Sequence, residues 1–217
     1  MNILIMGPAG AGKGTMSEKI TEKYGIPHIS SGDMFRAEIA GKTPLGLKAQ
    51  AYINAGELVP DDITIGMVEK RIQQPDCQKG YLLDGFPRTL NQAKALSELT
   101  KRLGIPLEII LDLRVDFDEL SRRVTGRRTC PKCQAIYNIY TLPSKVEGIC
   151  DNDGTKLVQR ADDTEAGLRE RLKEYEKQTV PVLEHFESEG LARVIDAGKD
   201  IEDVWTQVEQ VLEGYKK

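Results

Sequence analysis

A short apolar run, Asn2–Met6, opens directly into Gly7-Pro8-Ala9-Gly10-Ala11-Gly12-Lys13-Gly14-Thr15, and an amphipathic pattern (Met16, Ile20, Tyr24) follows it. Gly7, Gly12 and Lys13 stand at the spacing of a phosphate-binding loop held between a buried strand and a helix. Glycines let the backbone wrap until its N–H groups face phosphate oxygens. The helix start adds a positive dipole end, and Lys13 adds a full charge. Most such loops place a magnesium-holding Ser or Thr directly after the lysine. Here that residue is Gly14, and the hydroxyl comes one place later at Thr15, so another group must help organise the metal. Asp84, ending the apolar run Tyr81-Leu82-Leu83, is the candidate: a carboxylate there can hold Mg2+ through water, because Mg2+ dehydrates reluctantly. Without a phosphate loop it would read as a turn cap ahead of Gly85.

Further apolar runs at Leu107–Leu113 and Ala192–Ile195 alternate with helical periodicities at Asp62–Gln73, Leu90–Leu103, Phe117–Val124, Ala166–Phe186 and Ile201–Leu212. Strands alternating with longer helices predict an α/β fold, a parallel sheet covered by helices on both faces. Pro181 lies inside one helical pattern and should kink or break it. Two stretches leave the alternation. Residues 30–59 carry helical patterns (Met34–Ala40, Leu45–Ala55) without a core strand, and residues 126–163 turn to Cys, Pro, Gly and Asn with β-like pieces such as Ala135–Tyr140. Both are expected to be insertions into one core made of 1–29, 60–125 and 164–217.

The chain has 217 residues, 40% hydrophobic and 29% charged, enough for a sizeable core. No apolar run approaches the roughly 20 residues of a membrane span. The amino terminus lacks the basic region of an export signal, so a cytoplasmic protein is expected. A net charge of −4 disfavours bulk attraction to nucleic acid or membrane. Four cysteines then suggest a metal or free thiols rather than disulfides. Cys130-Pro131-Lys132-Cys133 and Cys150-Asp151-Asn152-Asp153 repeat one spacing. They predict a Zn2+ site of Cys130, Cys133, Cys150 and Asp153, structural because four protein ligands leave no position for catalytic water. Asp151 breaks the spacing and is the weaker ligand; three free thiols are the plainer alternative. Cys77 stands apart as a structural thiol.

Taken together, Gly7–Thr15, Ser31-Gly32-Asp33-Met34-Phe35-Arg36, Asp84-Gly85-Phe86-Pro87-Arg88, Gly126-Arg127-Arg128 and Gln159-Arg160-Ala161-Asp162-Asp163 resemble the adenylate kinase family in its long-lid bacterial form, in the same order over nearly the whole chain. The resemblance implies a nucleoside monophosphate kinase core with a helical AMP-binding insertion (30–59) and a small zinc-bearing lid (126–163). It implies reversible phosphoryl transfer, ATP + AMP = 2 ADP, by a monomer. By matching position it implies that Gly10, Ala11, Gly12, Lys13, Gly14, Thr15, Arg127, Ile136, Tyr137 and the main chain near Lys199 contact ATP. Ser31, Arg36, Glu57, Leu58, Val59, Gly85, Phe86, Pro87, Arg88 and Gln92 would contact AMP, with Arg160 and Arg171. Arg123, Arg160 and Arg171 would join Lys13, Arg88 and Asp84 around the transferring group. The chain departs from the family in placing Pro8 one position early, in Ser31 for threonine, in Met16 for glutamine and in Lys199 for glutamine.

Phosphoryl transfer spreads charge over peripheral oxygens and asks for positioning and preorganised positive charge, which the planar fork of arginine supplies. The acceptor phosphate is already ionised, so no general base is needed, and His28 and His185 are expected to lie outside the motif cluster. Water is the competing acceptor, so both insertions should close over the nucleotides. A UMP or CMP kinase, a nucleotide-binding switch and a zinc-ribbon nucleic-acid binder are the alternatives. The long cysteine-bearing lid and Gln92 favour AMP, and the full arginine set favours transfer over a switch.

Overall fold

In the computed structural model, which describes residues 1–215, the chain runs β1 (Asn2–Met6), α1 (Lys13–Tyr24), β2 (His28–Ser30), α2 (Ser31–Ala40), α3 (Pro44–Ala55), α4 (Asp61–Ile72), β3 (Tyr81–Asp84), α5 (Leu90–Leu103), β4 (Ile109–Arg114), α6 (Phe117–Gly126), β5 (Arg127–Thr129), β6 (Ile136–Asn138), α7 (Glu165–Glu174), α8 (Val180–Ser188), β7 (Ala192–Asp196) and α9 (Ile201–Glu213). Five strands form one parallel sheet in the order β2-β3-β1-β4-β7. Along β1 the side chains alternate between faces. Ile3 and Ile5 join a core with α1, α6 and α9, whereas Leu4 and Met6 join a second core with α4, α5 and α8. Burial on both faces is why these strands read as unbroken apolar runs. At the carboxyl ends of the strands, Ile5 pairs with Asp84 and Asp84 pairs with Ser30, so the three share one rung.

The helices start where the chain supplies caps. Thr89 accepts from the Gln92 N–H at 3.2 Å to begin α5, and Thr164 accepts from the Gly167 N–H at 3.0 Å to begin α7. A side-chain oxygen at this position satisfies a donor the helix itself leaves unpaired.

The two irregular stretches adopt their own small packings. Helices α2 and α3 close over Phe35, Ala49 and Val59, and at Gly46 a Cβ would lie 2.2 Å from the Glu38 carbonyl oxygen, so only glycine permits that approach. Strands β5 and β6 form an antiparallel pair around Cys130, Tyr137, Cys150 and Leu157. No helix among the described residues is long and apolar enough to cross a membrane.

Three details differ from the sequence expectation. A three-residue edge strand, β2 (His28–Ser30), stands just before the first insertion, where no strand was expected. The short β5 was not anticipated. The Ala166–Phe186 pattern is interrupted by a wide π turn over Tyr175–Thr179, placed so that Pro181 falls in the first turn of α8, where its missing N–H and fixed φ are tolerated.

Candidate active site

A cleft of about 740 Å³ opens at the carboxyl ends of β1, β2 and β3, the edge where parallel α/β sheets present ligands. The loop after β1 forms its floor. Gly10 and Gly12 hold φ of +89° and +88°, a region L side chains rarely enter. At Gly10 a Cβ would also meet Val124 Cγ2 at 2.8 Å, so this glycine lets α6 pack against the loop. The Lys13 ammonium donates to the carbonyls of Gly7 at 2.7 Å and Pro8 at 2.9 Å. Opposite, Ser31 Oγ donates to the Gly85 carbonyl at 2.6 Å, fastening the start of α2 to the segment after β3. From the far side, β6 leans over the loop: a Cβ on Gly14 would lie 3.4 Å from Ile136 Cδ1.

Every residue nominated for nucleotide contact or catalysis lines this cleft except Ala11 and Lys199. Ala11 is buried in the core beneath the loop, so only its backbone can face a phosphate. Lys199 turns its side chain toward Asp196, 3.7 Å away, while its carbonyl accepts from Arg123.

The electrostatics are those of a site built for anions. Withdrawal from water, together with Arg88, Arg127 and Arg171, brings the Lys13 amine down to about 8 despite the opposing pull of Asp84. Burial, then Arg127 and Arg36, brings Arg160 down to about 10 even though Asp163 and Asp162 lie nearby. The Nε atoms of Arg160 and Arg36 are buried without a hydrogen-bond partner, an arrangement that costs free energy unless a ligand supplies the acceptor. The remaining cations are held in place. Arg127 makes a two-pronged contact with Asp163, Nε at 2.8 Å, and Arg171 bonds to Asp162 at 3.0 Å. Arg123 is committed to Glu119 Oε1 at 2.7 Å and the carbonyls of Ala197 and Lys199 at 2.8 and 3.1 Å. Its guanidinium therefore braces the loop before α9. Gln92, nominated to read adenine, is bonded at both ends, accepting from the Arg88 N–H and donating to Asp61, each at 2.7 Å.

Away from the sheet, Cys130, Cys133, Cys150 and Asp153 offer ligand atoms all within 4.8 Å of one another. A tetrahedral ion with Zn–S near 2.3 Å and Zn–O near 2.1 Å requires S···S edges of about 3.8 Å and S···O edges of about 3.6 Å. Cys133 Sγ and Cys150 Sγ are 3.5 Å apart, and Cys130 Sγ is 3.6 Å from both Asp153 oxygens, so the donor set fits a metal of that size. Asp151 instead accepts from the Lys145 N–H at 2.9 Å.

Residues 5–191 match the family model for adenylate kinase. The chain belongs to the adenylate kinase family. It is 49% identical to the adenylate kinase of Bacillus subtilis (strain 168) over 217 residues, all of both chains. It is 51% identical to that of Carboxydothermus hydrogenoformans over 213 residues, 98% of this chain and all of the relative. It is 47% identical to that of Archaeoglobus fulgidus over 216 residues, essentially the full length of both.

Set against this family member's cleft, two residues escaped the sequence reading. His28, expected outside the motif cluster, lines the cleft with Nε2 3.5 Å from Asp84 Oδ2; its place on the β2 edge strand brings it there. His185 does lie elsewhere, on α8 beside Glu189. Asp163, in sequence only one residue of the Gln159–Asp163 motif, is fully buried and faces both Arg127 and Arg171. A run of two acids after an arginine was the available signal.

Proposed function

We propose that the cleft transfers a phosphoryl group reversibly between ATP and AMP, ATP + AMP = 2 ADP, with ATP on the Gly7–Thr15 loop under β6 and AMP between α2, α3 and the Gly85–Arg88 turn. The observation that carries the reading is the gathering of Lys13, Arg36, Arg88, Arg127, Arg160 and Arg171 into one cleft, with two guanidinium Nε atoms unpaired. Such a set is unfavourable when empty and complementary to two phosphate chains meeting end to end.

Backbone N–H groups of Gly10, Ala11, Gly12, Gly14 and Thr15 would hold the ATP phosphates, and Lys13 would leave its two carbonyls for a phosphate oxygen. Arg127, Ile136 and Tyr137 would cover ATP, and the main chain around Lys199 would border its adenine. Ser31, Arg36, Glu57, Leu58, Val59, Gly85, Phe86, Pro87 and Gln92 would seat AMP. Arg88, Arg160 and Arg171 would neutralise the transferring group, and Arg123 would add its charge while bracing the loop before α9. Asp84 would hold Mg2+ through water, and the ion would neutralise charge on the polyphosphate. Residues 30–59 and 126–163 would act as moving flaps on the core formed by the rest, excluding water. Cys130, Cys133, Cys150 and Asp153 would hold Zn2+, stabilising a flap whose own core is small. We read the protein as a cytoplasmic monomer.

A coupled assay with Mg·ATP and each of AMP, UMP and CMP tests this directly. Activity with AMP far above the other two is the expected result. Equal activity with UMP or CMP, or no transfer at all, overturns it.

A further inference from the structure

Gln92 is 2% exposed and lines the cleft, and the two ends of its side chain meet partners of opposite kind. Its Oε1 accepts from the Arg88 N–H at 2.7 Å, a group that can only donate; its Nε2 donates to Asp61 Oδ1 at 2.7 Å, and a carboxylate can only accept. Amide oxygen and nitrogen are therefore distinguished by chemistry. Asp61 is itself fixed, its Oδ2 receiving Thr89 Oγ1 and Asn91 Nδ2, both at 2.9 Å.

Resting on the reading of Gln92 as the adenine-facing residue, we propose that Asp61 is a specificity-determining positioning residue, locking the Gln92 amide so that the acceptor subsite takes 6-amino purines and rejects 6-oxo purines. After these two bonds Gln92 keeps one N–H and one Oε1 lone pair. Adenine offers a complementary pair, the N6 amine as donor beside a ring nitrogen as acceptor, whereas hypoxanthine and guanine turn an O6 acceptor toward the same place. With Oε1 locked, a 6-oxo base meets oxygen against oxygen, and a site built to hydrogen-bond rejects such a partner strongly. Without the Asp61 carboxylate only the Arg88 N–H holds the amide, so the rotated form, which presents its NH2 to O6, costs one hydrogen bond rather than two. Asp61 lies at the first turn of α4, which immediately follows the Glu57-Leu58-Val59 stretch, so it can hold this orientation without touching the nucleotide.

The test is the ratio of kcat/KM for AMP to kcat/KM for IMP, each with saturating Mg·ATP. A loosened scaffold lowers both alike, so only loss of the lock moves the ratio. Asp61→Asn, which can donate as well as accept, should lower the ratio by about tenfold or more, through a higher KM for AMP and improved use of IMP. Asp61→Glu, which restores acceptor-only chemistry, should return most of it. Asn91→Ala, which removes a different donor to Asp61, should keep the ratio near that of the parent. If Asp61→Asn is not recovered folded, Asp61→Ser takes its place. Gln92→Leu separates the failures: if it lowers the ratio and the Asp61 variant leaves it within about threefold, the lock is wrong; if Gln92→Leu also leaves it unchanged, Gln92 does not face the purine and the reading beneath the proposal falls too.

Discussion

Asp163 lies fully buried beneath Arg127, bonded to two nitrogens of its guanidinium, with Nη2 of Arg171 3.5 Å away. One carboxylate thus sets the direction of two cations that reach the cleft from different elements. Charge placed this firmly needs no reorganisation when the reaction demands it. Asp163→Asn keeps the shape and removes the charge. It should lower kcat/KM for ATP by about 10- to 100-fold, and it should cost about 2–4 kcal/mol of stability by leaving a partly buried guanidinium poorly paired. Steady-state kinetics and urea unfolding together check this; a kinetic loss without a stability loss would assign Asp163 no structural part.

The Lys13 amine, brought down to about 8 by burial and neighbouring arginines, should return toward its ordinary range when a polyphosphate lies beside it. Free protein therefore carries a partly neutral Lys13 above pH 8, and the ATP complex carries a charged one. Binding should take up a proton between about pH 8 and 10 and weaken as pH rises through that window, with no such dependence below it. Calorimetry at pH 8.5 in buffers of different ionisation enthalpy measures the uptake. Lys13→Met should abolish it and reduce kcat by on the order of 10²- to 10³-fold.

Loss of the proposed zinc should be a stability event before it is a chemical one. Chelation, or Asp153→Ala, should release one zinc per chain and lower the melting temperature by about 5 °C or more, while far-UV circular dichroism changes little because the parallel sheet does not depend on the cluster. Finding no zinc in protein purified without chelator would refute the site.

Two glycines of the phosphate loop should respond differently to alanine. Both hold positive φ, which strains any L residue by about 1–3 kcal/mol. Only at Gly10 does the new Cβ also strike a neighbour, Val124 Cγ2 at 2.8 Å; around Gly12 there is nothing within 4 Å. Gly10→Ala should therefore be the less stable variant by about 1–3 kcal/mol, read as the difference between two denaturation midpoints.

Much of the fold was legible because its strands are buried on both faces. Runs such as Asn2–Met6 and Tyr81-Leu82-Leu83 need no alternation to be seen, and the glycines and lysine that follow the first one mark the site. What escaped was short or lay at an edge. β2 has three residues on the sheet's outer position, too few for a periodic signal, and His28 entered the cleft unnoticed with it. The Arg127–Asp163 contact spans 36 residues of sequence, and no local pattern encodes a pairing at that distance. The brace that Arg123 forms with the 197–199 carbonyls escaped for the same reason. Pro181 announced an interruption, but the π turn that absorbs it depends on the packing around Tyr175–Thr179.

The rung shared by Ile5, Asp84 and Ser30 fixes a length in the floor of the cleft. Adjacent strands are held about 4.8 Å apart by their ladders, so the loop leaving β1 and the helix leaving β2 stand two such intervals apart, with a carboxylate at the midpoint. On the proposed seating of the two nucleotides, that main-chain spacing would set the gap between donor and acceptor phosphates. The flaps proposed above it would rise and fall without altering that length.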